Sequence, residues 1–117
     1  MLKRKLKAEE IALITWMIKD TNEGTAIINK LDELTVEEMD DGGMGSLKVV
    51  VDSKDNRLYS RDLAKADLFD IDGVPVFISV DLDKNGDFYQ LDVFKGDFSP
   101  LKKFPSIPQS KSDGWLL

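Results

Sequence analysis

The order of periodicities in this chain predicts an α+β domain, with N-terminal helices packed on a largely antiparallel, meander-like sheet of about five strands. Residues 8–20 repeat apolar side chains at helical spacing. After Leu34 the repeat shortens towards two, and Asn85-Gly86 separates the two clearest alternating runs.

The helical stretch places Ile11, Ile14 and Ile18 on one face, with Leu6, Leu13 and Met17 beside them. Glu9 and Glu10 fall in the first turn and Lys19 in the last, which suits the helix dipole. Trp16 widens the apolar stripe, so the helix is expected to lie against the sheet. Thr21, Asn22 and Gly24 end it. A second short helix is expected over 25–32, with Ile27, Ile28 and Leu31 as its apolar face.

Strands are expected over 34–39, 46–52, 65–71, 74–82 and 87–95. Ile78, Val80 and Leu82 alternate on one run, and Tyr89, Leu91 and Val93 on the next. A two-residue turn at Asn85-Gly86 sets Phe77 opposite Phe94 and Asp81 opposite Gln90. A similar turn at Asp72-Gly73 would set Asp67 opposite Ile78, which conflicts with a clean buried face. Prolines 100, 105 and 108 prevent a regular ladder beyond the last strand, although Trp115-Leu116-Leu117 offers an apolar end to dock. The expected organisation is one domain over 1–104 and a tail over 105–117.

Composition narrows the chemistry more than the elements do. The chain has 117 residues, no cysteine and no histidine. Disulfides, thiolate metal sites, cysteine nucleophiles and serine–histidine triads are therefore excluded. The net charge of −6 repels phosphate backbones, so a basic protein partner or a cation is expected and nucleic acid is not. No apolar run approaches the roughly 18–20 residues that span a bilayer. Glu9 and Glu10 interrupt what would otherwise mimic a leader, so a cytoplasmic protein without membrane contact is expected.

Four segments could carry function. The first, DLDKNGDFYQLD over 81–92, lays Asp81, Asp83 and Asn85 on the first oxygens of a calcium loop, with Gly86 at its sharp turn. Asp87 adds an oxygen, and Asp92 falls where a bidentate glutamate is usual. The competing reading is a polar hairpin turn, because the same residues favour turns. Helices on both flanks would favour calcium, and strands the turn.

The second segment is the glycine cluster 40–46, read as a wide hairpin that could present Met44 to a partner. The third is the acidic run Asp32–Asp41. There Glu37, Glu38, Asp40 and Asp41 form either a solvated face or a footprint for a basic protein. The fourth is the Phe77/Phe94 pair beside Asp81, an apolar-acidic patch on the face opposite Ile78 and Leu91.

Three motifs, DGGMGSL at 41–47, DIDGV at 70–74 and LDVFKGDFSPL at 91–101, resemble in their order a family of small bacterial proteins of unknown function. The resemblance implies no activity, cofactor or catalytic residue. Within DFSPL, Asp97 and Ser99 are expected to fix a turn, with Phe98 and Leu101 facing inward. The leading expectation is a non-catalytic protein-binding domain, similar to an immunity protein in size and charge. A calcium-binding module and a carboxylate-based hydrolase assisted by Mg²⁺ or Mn²⁺ are the alternatives.

Overall fold

The computed structural model describes residues 2–51 and 57–107. The expected docking of Trp115-Leu116-Leu117 lies outside the described residues. Strand β1 (Lys3–Lys5) leads into helix α1 (Ala8–Ile18), helix α2 (Gly24–Ile28) and a single 3₁₀ turn (Leu31–Glu33). Strands β2 (Thr35–Glu38), β3 (Leu47–Val50), β4 (Tyr59–Phe69), β5 (Pro75–Asp83) and β6 (Phe88–Lys95) follow. The fold is α+β, as the periodicity indicated.

The sheet has six strands, not five, and its order is β1-β2-β3-β6-β5-β4, antiparallel throughout. Two three-stranded meanders thus meet where β3 pairs with β6 through Leu47↔Leu91 and Lys48↔Gln90. A simple meander would have paired β3 with β4. The missed strand, β1, is three residues of Lys-Arg-Lys, too short to display a period. It is held by side chains: Arg4 donates to both Glu10 oxygens at 2.8 and 2.9 Å and to Glu38 at 2.8 Å. Glu10, 4% exposed, also accepts from the Lys7 backbone N–H at 2.8 Å and so closes the first turn of α1.

Leu13, Ile14 and Ile18 of α1 are fully buried with Val36, Leu47, Val76, Ile78, Val80, Leu91 and Val93 in one core. Each such side chain contributes about 1.5–3 kcal/mol over its exposed state. The core therefore lies on the helix side of the sheet. Phe77, Ser79, Asp81, Gln90, Asp92 and Phe94 point the other way.

Both hairpins use a three-residue loop, not the two-residue loop that the sequence suggested. Gly73 N–H donates to Asp70 O at 2.9 Å and Asp70 N–H to Val74 O at 3.0 Å. Gly86 and Asp83 repeat this arrangement at 3.0 and 2.9 Å. Gly73 and Gly86 have φ of +82° and +84°, which a side chain disfavours. The extra loop residue moves Asp67 opposite Phe77, which removes the conflict with Ile78. In the second hairpin a bulge between Asp81 and Leu82 restores the expected register, so Phe77 does face Phe94 and Asp81 does face Gln90.

Beyond β6 the chain turns on Phe98, which has φ of +66°. Asp97 accepts from the Ser99 N–H at 3.0 Å and its hydroxyl at 2.6 Å, as a turn requires. Leu101 and Phe104 pack against the core. Phe98 is not turned inward: it is 71% exposed, because the left-handed turn aims its side chain outward.

The end of β6 carries a lysine with no solvent exposure. Lys95 Nζ donates to Asp70 at 2.9 Å, Asp72 at 2.7 Å and Pro100 O at 3.3 Å, so its three N–H groups have three acceptors. Asp70 also accepts from the backbone N–H groups of Ile71, Lys102 and Lys103. Burial pulls the Asp70 carboxyl upward, but the bonds from Lys102, Lys95 and Ile71 outweigh it and hold it well below the usual range. Lys95 lowers Asp72 as well. Burial alone would lower Lys95, yet Asp72 and Asp70 raise it.

Folded-state carboxyls below their unfolded values contribute stability that is fully present above the ordinary carboxylate range and is lost as pH falls from that range through the depressed folded value. Asp70→Ala leaves Lys95 buried with one carboxylate. It is expected to lower the melting temperature by more than about 10 °C at neutral pH and to flatten the acid limb of the melt profile, both read by circular dichroism. Gly86→Ala meets no atom within 4 Å, so only its backbone is strained, and a loss of about 1–2 kcal/mol is expected in urea unfolding.

Candidate functional site: an acidic, aromatic sheet face

Alternation along β4, β5 and β6 turns one set of side chains away from α1. They line a concavity of about 620 Å³. Asp62, Asp67, Asp81 and Asp92 supply its charge, Tyr59, Phe77 and Phe94 its aromatic surface, and Ser79 and Gln90 its neutral polar groups. Lys65 is its one cation, tied to Asp62 at 3.2 Å.

At the centre stand two carboxyl groups. Asp62 and Asp81 are directly opposite across β4 and β5, and each shifts the ionisation of the other. Two like charges so placed raise the cost of ionising one of them. The environments say which. Asp81 is 2% exposed, and burial first, then the neighbouring Asp62, pushes its carboxyl up to about 6 against bonds from Gln90 and Ser79. Asp62 is lowered, first by its interaction with Asp81 and then by Tyr59 and Lys65. The Tyr59 hydroxyl donates to Asp62 at 2.8 Å, and Gln90 Nε2 to Asp81 Oδ2 at 2.7 Å. The buried Asp81 Oδ1 has no hydrogen-bond donor among the described residues, which adds to the cost of ionising this carboxyl. Desolvation by the sheet, then the charges of Asp41 and Asp62, raises Asp92 too.

The aromatic row runs beside this pair. Phe77 and Phe94 stack at 6.3 Å, and Phe98 meets Phe94 edge-on at 5.1 Å. Phe98 holds its exposed ring in a backbone conformation that costs a non-glycine residue about 1–2 kcal/mol. Strain kept at an exposed aromatic marks a candidate contact.

The structure divides the residues that the sequence singled out. Phe77 and Phe94 share the concavity with Asp81 and Asp92. Asp40 and Glu37 lie outside it, and Glu37 stands opposite Lys3 and Lys48. Glu38 is engaged by Arg4, and Asp41 accepts from the N–H groups of Met44 and Ser46 at 3.0 and 2.9 Å. Met44 is turned to the Lys95 backbone, whose N–H meets its sulfur at 3.3 Å. Of the residues expected in a calcium loop, Asp83 accepts from Asn85 and Asp87 N–H at 2.8 and 3.1 Å and so closes the hairpin. Strands flank this loop on both sides, and no group of three or more acidic side chains among the described residues is arranged to hold a metal ion. Asp62, Tyr59 and Ser79 carried no signal in the sequence, since the strand that presents Asp62 and Tyr59 was expected to begin only at Lys65.

The three motifs meet at Lys95. DIDGV supplies Asp70 and Asp72, LDVFKGDFSPL supplies Lys95 and Pro100 O, and DGGMGSL supplies Met44 and the Gly43 carbonyl that accepts from Leu101 N–H at 3.1 Å. Ser46 exchanges hydrogen bonds with the Val93 backbone at 3.1 and 2.9 Å, extending the β3–β6 junction with a side chain. The motifs thus build the scaffold behind the face.

Residues 3–105 match the family model of a domain of unknown function, DUF6984, and the chain belongs to that family. No curated protein and no solved structure matches it significantly. No helix among the described residues is long and apolar enough to cross a membrane.

Because the Asp81 carboxyl is higher folded than its ordinary 3.8, the folded state binds more protons between about pH 3.8 and 6, and stability falls as pH rises through that window. Asp81→Asn keeps the shape and removes the ionisation. It is expected to raise the melting temperature at pH 7.5 and to leave it unchanged near pH 2.5, where the wild-type group is protonated in both states.

Proposed function

We propose that this member of the DUF6984 family is a non-catalytic protein-binding domain that docks a basic partner on the open face of β4, β5 and β6. One observation carries the reading: Phe77, Phe94 and the strained, exposed Phe98 form a continuous row beside Asp62, Asp67, Asp81 and Asp92, with Lys65 as the only cation among them. Aromatic anchors within a charged rim are the composition that protein interfaces favour. A Lys or Arg of the partner would meet the Asp62–Asp81 pair and offset the repulsion between its carboxylates. The size and charge are in keeping with an immunity-like role, in which the domain neutralises a basic bacterial protein.

Phe98→Gly separates this function from folding, because glycine relieves the positive φ. The variant is expected to melt at or above the wild-type temperature while losing about tenfold or more in partner affinity. Affinity capture from the native host, followed by titration calorimetry, supplies the comparison. Retention of no basic protein, or of one indifferent to both Phe98→Gly and Phe77→Ala, would overturn the reading.

A carboxylate-based hydrolase is the second reading, and it draws on the opposed pKa shifts of Asp62 and Asp81, the pattern of an acid and a base in one site. A hydrolase screen near pH 5 with Mg²⁺ or Mn²⁺, run on wild type and Asp81→Asn, discriminates: activity lost in the variant favours the enzyme, and silence in both favours the binder. Calcium ranks below both, and coincident melts in millimolar calcium and in chelator are expected.

A further inference from the structure

The two edges of the sheet are unlike. β1 is three residues long and basic, a form that discourages strand addition. At the other edge β4 runs for 11 residues without Pro or Gly, and no described strand pairs with its outer side. Irregularities between Tyr59 and Arg61 and between Asp62 and Ala64 break its first half, while 64–69 is regular.

The backbone polarity of that half follows from the ladder. Asp70 N–H bonds to Val74 O at 3.0 Å, and Phe69 stands opposite Pro75, which has no N–H to give. Antiparallel pairs alternate, so Phe69, Asp67 and Lys65 direct their N–H and C=O groups away from β5, to the outer edge, whose last residues, 67–69, share a groove with residues 103–106. Lys65 and Asp67 are both exposed.

We infer that this edge pairs with the same edge of a second copy, antiparallel about a twofold axis at Ala66. A symmetric ladder must match outward-directed residues with one another. With Lys65 on the axis, lysine faces lysine, and with Asp67 on the axis, aspartate faces aspartate. Larger shifts run into the bulge at Leu63 or shorten the ladder. With Ala66 on the axis, Lys65 of each copy faces Asp67 of the other, giving two opposite-charge pairs, and Ala64 faces Leu68 on the helix side. The short run Ala64-Lys65-Ala66-Asp67-Leu68 is thus self-complementary in both charge and size. Pairing doubles the six-stranded sheet and sets two acidic-aromatic faces side by side. It does not depend on what those faces bind.

Sedimentation equilibrium on the full chain, from micromolar to millimolar concentration, tests this. Wild type is expected to dimerise. Lys65→Glu and Asp67→Lys each create two like-charge pairs, and each is expected to weaken self-association about tenfold or more. Mixing the two variants restores opposite charges at both pairs, so a heterodimer is expected, as is a homodimer of the double variant. Ala66→Cys in this cysteine-free chain places two thiols across the axis with Cα atoms about 4.5 Å apart, within disulfide range, and is expected to cross-link on oxidation. A wild type that stays monomeric at millimolar concentration, or a dimer that ignores both charge reversals and fails to cross-link through Cys at 66, overturns the inference.

Discussion

Lys95 sits where four pieces of chain must be held together: the end of β6, the β4–β5 turn, the loop before β3 and the segment after Phe98. An ammonium group without solvent exposure survives there only because Asp70, Asp72 and the Pro100 carbonyl take its three protons. Directional demand does what apolar packing cannot, since a hydrophobic side chain at that point would accept many arrangements of the surrounding loops. The second bonds of Asp70, to the N–H groups of Lys102 and Lys103, carry the constraint onward to the stretch that places Phe104 on the core.

That constraint reaches the open face. Gly96 N–H bonds to Pro75 O at 2.8 Å and Phe98 N–H to Lys95 O at 2.9 Å, so the turn that strains Phe98 is anchored on the lysine itself. Phe98 then completes the row begun by Phe77 and Phe94. The buried ion network and the exposed aromatic row are two sides of one arrangement. The first supplies the rigidity that the second needs to keep its rings outward at a cost in backbone energy.

The same sheet shows opposite treatment of its charges on its two faces. On the helix side Arg4 is enclosed by Glu10 and Glu38, and Lys95 by Asp70 and Asp72, so the buried charges there are paired. On the open side carboxylates crowd together, and burial raises the Asp81 carboxyl to about 6. Pairing on one side serves the fold, whereas the unneutralised crowding on the other destabilises it at neutral pH and suits a surface that meets a cation or a cationic partner.

Much was legible in the chain order of residues. The class followed from the change in apolar period, because the side chains of a helix and a strand must repeat differently to reach one core. The Phe77–Phe94 and Asp81–Gln90 pairings followed from the position of Asn85-Gly86, although two one-residue shifts, a longer loop and a bulge, had to cancel for them to stand. Absent histidine and cysteine removed whole reaction classes outright. Tertiary structure alone decided the rest. It paired β3 with β6, which no local pattern announces. It recruited Lys-Arg-Lys as a strand through the reach of Arg4 to a helix and a distant strand. It brought Asp62 against Asp81, and three separated motifs to one lysine. Local periodicity reports which face a side chain takes. Which residue stands across from it is set by contacts distant in sequence, and in this protein those contacts make the site.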